Sequence, residues 1–120
     1  MGDELTAQDK IYFDFDKSTI RDISKPTLDK IAGFLKAHPE VTKIRIDGYT
    51  CDLGTDRYNL KLSQRRAASA ATYLEGQGID PSRIGAVTGY GEANPLVPNK
   101  DEPSREQNRR VQIFVEAVQK

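Results

Sequence analysis

The stretch GYTCDLGTDRYNLKLSQRRA, from Gly48 to Ala67, decides the fold, because it joins a strand to a long helix through a turn-rich loop. Before it, Val41 to Asp47 places Ile44 and Ile46 on one side and charged residues on the other. This period-two alternation is typical of a half-buried strand. After the loop, a helix is predicted from Tyr58 to Glu75. Its predicted buried face consists of Leu60, Ser63, Ala67, Ala70 and Leu74.

The flanking sequence shows the same two periodicities. Alternation predicts a first strand whose residues Phe13 and Phe15 belong to the core, and helical spacing of apolar residues predicts a helix that begins near Ser24. The predicted segments are a strand over Ile11–Asp16, a helix between Ser24 and His38, a strand over Ile84–Tyr90, a polar loop over Gly91–Asn108 and a strand over Arg110–Glu116.

These elements follow one another in the order β-α-β-α-β-β. We therefore predict an α/β (α+β) two-layer sandwich, with the helices on one face of a four-stranded mixed sheet. A chain of 120 residues is long enough for one domain of this kind. We assign residues 1–10 to a polar N-terminal tail and residues 11–120 to the domain.

Charge and composition exclude several function classes. Lys and Arg together number 18, as do Asp and Glu, so the formal net charge is zero and a general nucleic-acid binder is not expected. No apolar run approaches the roughly 18 residues that a membrane-spanning helix needs. Residues 1–10 are polar and acidic, without the features of a secretory signal. Any attachment to a membrane is expected to come from an N-terminal anchor or a barrel outside this sequence.

Catalytic and cofactor chemistry has little support in the residues. His38 is the single histidine and stands beside Pro39 at a predicted helix end, where a solvated or capping imidazole is the usual explanation. Cys51 is the single cysteine, so neither an internal disulfide nor a structural zinc site of four Cys or His ligands can form. No phosphate-binding fingerprint surrounds Gly89–Gly91. We expect no enzyme, no metal and no cofactor.

Two patches could bind a ligand. Where the loop meets the second helix, free backbone N–H groups and Arg65 and Arg66 suit a carboxylate, while Asp52 and Asp56 suit an ammonium, so the junction could hold a zwitterion. The alternative is a capped tight turn with solvated arginines. The run from Asn108 to Arg110 could deliver an arginine to the same loop if the last strand is central, or could be an ordinary polar strand start.

At these residues the sequence resembles the OmpA-like C-terminal domain family. The resemblance covers about Ile11 to Val115, and several motifs occur in the family's order and separation. The matching motifs are Phe13–Lys17, Gly48–Asn59, Leu62–Ala67, Gly89–Pro95 and Asn108–Val111.

The resemblance implies non-covalent binding of peptidoglycan through the diaminopimelate of its peptide stem. An aspartate after the Gly-x-Thr turn and an arginine on the following helix hold the ligand in this family; Arg66 matches the arginine, whereas Cys51 stands at the aspartate position. We predict that Asp52 replaces the missing carboxylate, and Asp16 either contacts the ligand or caps the loop after the first strand. The residues assigned to the ligand are Asp16, Thr50, Cys51, Asp52, Asn59, Arg66 and Arg110.

The function expected from the resemblance is that of a periplasmic, outer-membrane-associated module that anchors an envelope protein to the cell wall. The alternative is a domain that kept the fold, lost wall binding and contacts other envelope proteins.

Overall fold

Four strands and three helices alternate along residues 10–119, the part of the chain that the computed structural model describes. Short 3-10 turns at Asp22–Ser24 and Pro81–Arg83 precede the first helix and the third strand. The strands are β1 (Lys10–Tyr12), β2 (Val41–Gly48), β3 (Ile84–Gly89) and β4 (Arg110–Val118), and the helices are α1 (Lys25–Ala37), α2 (Asp56–Gly76) and α3 (Glu102–Asn108).

The strands form one mixed sheet in the order β1-β4-β2-β3. β4 is antiparallel to both of its neighbours, whereas β2 and β3 are parallel and are connected through α2. The predicted four-stranded mixed sheet is confirmed, and the last strand is central. The end of β2, the start of α2 and the start of β4 therefore meet at one edge of the sheet.

The core lies between the sheet and the two longer helices. Ile44 and Ile46 of β2 and Ile113 of β4 are fully buried in it. The close approach of α2 depends on glycine, because a Cβ at Gly48 or Gly89 would overlap the backbone of that helix. The apolar spacing that predicted a helix near Ser24 corresponds to the buried face of α1, which consists of Leu28, Ile31, Ala32 and Leu35. No helix within residues 10–119 combines the length and apolar character needed to cross a membrane.

The third helix was not predicted, because α3 lies inside the segment interpreted as a polar loop. At seven residues it is too short to show apolar periodicity. It is set by its N-terminal capping box, in which Asp101 accepts from the backbone N–H of Ser104 and the Ser104 hydroxyl accepts from that of Asp101. Pro103 stands in the first turn, where its missing N–H costs nothing.

Two side chains predicted to be in the core are exposed. Phe13 is fully buried, but β1 ends at Tyr12 and the chain then turns, so Phe15 is 53% exposed. Leu60 is also 53% exposed, because the first turns of α2 pass Gly91, which has no side chain to cover it. Residues 1–9 of the predicted N-terminal tail lie outside the described residues, and Lys10 begins β1.

Candidate functional site

A cavity of about 310 Å³ lies where the loop after β1, the end of β2 and the start of α2 meet. This volume falls at the lower end of the range of small-molecule sites. Five of the seven residues predicted for the ligand line it, namely Asp16, Thr50, Cys51, Asn59 and Arg66. The other lining residues are Phe15, Leu53, Gly54, Tyr58, Leu62 and Arg109.

Arg66 is the largest fully buried side chain in the described protein. Its Nε, Nη1 and Nη2 atoms donate to the carbonyls of Lys17, Tyr49 and Asp14 at 2.8, 3.1 and 3.0 Å. A guanidinium carries five N–H groups, so one on each terminal nitrogen is left over by these three bonds. Burial, and then the charge of Arg109, lower the pKa of Arg66 to about 10, which leaves it protonated at neutral pH.

The loop after β1 wraps around this guanidinium and brings Asp16 to the cavity. Two of its carbonyls, those of Asp14 and Lys17, accept from Arg66, which fixes the path of the chain. Asp16 itself has a left-handed backbone with φ of 59°. Its exposed carboxylate lines the cavity and forms no hydrogen bond or ion pair within residues 10–119. A free acceptor thus stands at the rim above a buried cation.

The turn after β2 is organised around Cys51. The Thr50 hydroxyl and the Asn59 amide both donate to the Cys51 carbonyl, at 2.9 and 3.4 Å. The Cys51 side chain is a free thiol, 3% exposed, and it lines the cavity together with Arg66 and Arg109. Thr50 and Asn59 therefore hold the turn in place, and they present the thiol among cationic groups.

The structure does not bring Asp52 to the cavity. Its Oδ1 atom accepts from Nε of Arg105 at 2.8 Å, so the carboxylate is paired with α3. The predicted capping of the loop–helix junction is present, because the Thr55 hydroxyl accepts from the backbone N–H of Tyr58. The alternative of solvated arginines does not hold for Arg66.

Arg110 also lies away from the cavity. Side chains alternate along a strand, and Val111 belongs to the core under the helices, so Arg110 is on the other face of the sheet. There it lies over the Tyr49 ring, 3.8 Å from its centroid, and donates to the Gln112 side chain and the Asn94 carbonyl. One terminal nitrogen of this buried guanidinium has no partner among the described residues.

Arg109 is the arginine that the last strand delivers to the cavity, and it was not predicted. Its Nε donates to the Phe13 carbonyl at 3.0 Å, and its two terminal nitrogens donate to the two carboxylate oxygens of Glu102. Burial lowers its pKa, but hydrogen bonds to Glu102 and Cys51 outweigh burial and raise it above the ordinary value. Val111 and Ile113 face the core, and alternation along the strand places Arg109 on the same face as they are. This pattern could have identified Arg109 rather than Arg110.

The lining of the cavity thus carries both positive and negative charge. Arg66 and Arg109 supply buried cations at its base, and Asp16 supplies a carboxylate at its rim. Within residues 10–119, no group of three or more His, Cys, Asp or Glu residues could hold a metal ion. His38 bonds Glu40 at 2.9 Å and packs on Phe34, and it does not line the cavity.

Known proteins are similar to this chain in sequence and in architecture. The model of the OmpA family matches residues 12–109. The chain is 45% identical to outer membrane protein A of Bordetella avium over 87% of its own length and 53% of that protein. It is 41% identical to the peptidoglycan-associated lipoprotein of Haemophilus influenzae over 83% of its length and 64% of that protein.

A solved structure is also similar to this chain. The crystal structure of the peptidoglycan-associated lipoprotein from Burkholderia pseudomallei matches with a TM-score of 0.81 and 35% identity, and 88% of this chain and 87% of that one are covered. It shares the α+β fold of helices and a four-stranded open sheet. By contrast, the chain spans only about a third to a half of the length of several curated relatives it matches.

By their names, these relatives are outer-membrane or peptidoglycan-associated proteins. They place the domain in the periplasm, in association with the outer membrane. The chain therefore belongs to the OmpA family.

Proposed function

We propose that this domain binds peptidoglycan through the diaminopimelate-containing peptide stem, and that it thereby anchors an envelope protein to the cell wall. One observation carries the proposal. The cavity combines the two N–H groups that Arg66 has left over with the free carboxylate of Asp16. Diaminopimelate presents a carboxylate and an ammonium on one carbon, which matches this pair of charges.

The carboxylate of the ligand binds at the base of the cavity. The leftover N–H groups of Arg66 lie one on each terminal nitrogen, which is the arrangement that holds a carboxylate in bidentate fashion. Three carbonyls already fix the guanidinium, so little side-chain entropy is lost when the ligand binds. Arg109, whose pKa is raised by Glu102 and Cys51 against the effect of burial, adds a second positive charge.

The ammonium of the ligand binds to Asp16 rather than to Asp52. Asp52 is paired with Arg105 and does not line the cavity, whereas Asp16 does line it and is unpaired within residues 10–119. Cys51 contributes little to this half of the site, because a thiol is a weak hydrogen-bond acceptor. The ammonium is therefore held at the rim and the carboxylate at the base.

The experiment that tests the proposal compares two stems by calorimetry. A muropeptide with diaminopimelate and one with lysine at the same position differ in the carboxylate that Arg66 would bind. Loss of a hydrogen bond to a charged group costs about 1.5–3 kcal/mol, so the lysine stem should bind roughly ten- to a hundredfold more weakly. Equal affinity for both stems would overturn diaminopimelate recognition.

One observation favours a second function, an interaction domain that no longer binds the wall and contacts other envelope proteins. It is the presence of Cys51, because the thiol removes the acidic group that the family places at this position. Co-sedimentation with purified peptidoglycan at moderate salt discriminates the two functions. Sedimentation with the wall supports the anchor, and its absence supports the interaction domain.

A further inference from the structure

A second cavity, of about 480 Å³, lies on the other side of the first turn of α2. It is lined by Asp56, Leu60, Tyr90, Gly91, Glu92 and Ala93, none of which lines the first cavity. Leu60 and Tyr90 are large hydrophobic side chains that remain 53% and 39% exposed. Their exposure is not explained by the core, which they do not join.

The Tyr90 ring is held rigidly. It stacks on the ring of Tyr49, with centroids 5.5 Å apart and planes inclined by 21°. Tyr49 in turn is buried, and the guanidinium of Arg110 lies on it at 3.8 Å. A ring fixed in this way offers a flat apolar surface that loses little entropy when a ligand packs against it. Leu60 extends the surface on the helix side.

The charged side chains of the second cavity are carboxylates, which act as hydrogen-bond acceptors. Asp56 and Glu92 are its charged side chains, and no Lys or Arg lines it. This contrasts with the first cavity, which is lined by two buried arginines. A carboxylate is therefore favoured in the first cavity and disfavoured in the second. An uncharged ring with hydroxyl donors satisfies the second, since its C–H face packs on Tyr90 and its hydroxyls donate to the carboxylates.

Two hydrogen bonds connect residues of the first cavity to residues of the second. The backbone N–H of Thr50, in the first cavity, donates to the carbonyl of Gly91, in the second, at 2.8 Å. The Asn59 amide, in the first, donates to the Glu92 carboxylate, in the second, at 3.4 Å. The two cavities are therefore neighbours at the start of α2, close enough for one extended ligand to contact both.

We propose that the second cavity binds a neutral pyranose ring of the wall glycan, carried by the same fragment whose stem occupies the first cavity. This rests on the proposed function, because the stem positions the sugar. Three features favour the glycan over other occupants: the stacked aromatic ring, the two carboxylate acceptors, and the hydrogen bonds that link the second cavity to the first. Tyr90, Leu60, Asp56 and Glu92 are its contact residues.

The test measures the binding of two probes by calorimetry, the free diaminopimelate stem peptide and the disaccharide that carries the same stem. One aromatic contact corresponds to roughly a three- to tenfold change in affinity, and wild type should favour the disaccharide probe by this factor. Tyr90→Ala should abolish the preference and Tyr90→Phe should keep it. Leu60→Ser should reduce it without touching the Tyr49 stack. Leu96→Ser is the matched control, since Leu96 is also an exposed leucine, at 39%, and lines neither cavity.

The outcomes separate the two proposals. Equal affinity of wild type for both probes, or an equal loss for both in Tyr90→Ala and Leu60→Ser, overturns the sugar site and leaves stem binding intact. Failure of wild type to bind either probe overturns stem recognition, and the sugar site with it. A preference for the disaccharide that Leu60→Ser reduces and Leu96→Ser does not supports the sugar site.

Discussion

Nε of Arg105 donates to Oδ1 of Asp52 at 2.8 Å, so the carboxylate beside Cys51 is paired with α3 and does not line the ligand cavity. Asp16 stands in the opposite situation. It lies in a left-handed turn held by Arg66, and its carboxylate lines the cavity without a partner in residues 10–119. Substitutions of Asp16 and of Asp52 are therefore expected to change ligand binding to different extents.

Asp16→Asn should weaken binding of a diaminopimelate stem by about five- to tenfold, because it removes the charged acceptor for the ammonium. This effect is slightly smaller than the loss of about 1.5–3 kcal/mol typical of hydrogen bonds to charged groups, since Asp16 is exposed and solvent screens it. Asp52→Asn is the matched control and should change the affinity by less than about twofold. Calorimetric titration decides, and the reverse ranking of the two variants would contradict the role of Asp16.

Restoring an acidic side chain at position 51 should strengthen binding. Cys51→Asp places a carboxylate beside Thr50 and Asn59, whose bonds to the Cys51 carbonyl already fix the turn. A hydrogen bond to a charged group is worth about 1.5–3 kcal/mol, so the affinity for the diaminopimelate stem should rise roughly ten- to a hundredfold.

Cys51→Ser is the control for the Cys51→Asp variant, because it changes the size and polarity of the side chain without adding charge. It should bind the stem about as weakly as wild type. If Cys51→Asp and Cys51→Ser bound equally, the ammonium would be recognised without help from position 51.

The junction of β2, its loop and α2 was predictable because each part leaves a local signal. Alternating Ile44 and Ile46 mark the strand, and the apolar side chains of α2 recur at helical spacing. Leu60 shows the limit of that signal. Its spacing matches the buried face, but the residue that packs against this turn is Gly91, which has no side chain to cover Leu60. Periodicity specifies which face a residue is on and not what covers that face.

The arginines of the cavity show a different limit. Arg66 was found through its motif, but two of its three carbonyl partners, those of Asp14 and Lys17, come from the loop after β1, which is distant in sequence. Arg109 and Arg110 are adjacent and chemically identical, so only the parity set by Val111 separates them. The helix α3, which gives Arg109 its partner Glu102, is too short for periodicity and depends on its capping box.

Substitution of the glycines that pack against α2 should destabilise the fold. A Cβ at Gly89 would overlap the backbone of Gln64, so Gly89→Ala should destabilise the protein by about 1–3 kcal/mol, as overpacking does. Gly33→Ala is the control, because nothing lies within 4 Å of a Cβ there and the residue is inside α1. It should stabilise the protein by about 0.5–1 kcal/mol. Urea denaturation measures both, and equal effects would contradict close packing of α2 on β3.

The ion pair between Glu102 and Arg109 should make stability depend on pH in acid. The hydrogen bond from Arg109 holds the pKa of the Glu102 carboxyl below its ordinary value of 4.5. A carboxyl whose pKa is lower in the folded state stabilises the fold fully above its unfolded pKa, and this contribution is lost as the pH falls through the folded value.

The free energy of unfolding should therefore be higher for wild type than for Glu102→Gln by a constant amount above about pH 5, and the difference should shrink as the pH falls below about 4.5. Urea denaturation across this range measures it, with Glu75→Gln as the control because Glu75 is exposed near the end of α2. The difference should be modest, since the Glu102 side chain is 65% exposed. A difference that stayed constant into acid would show that Glu102 stabilises α3 without its charge, and that Arg109 is held in the cavity by the Phe13 carbonyl alone.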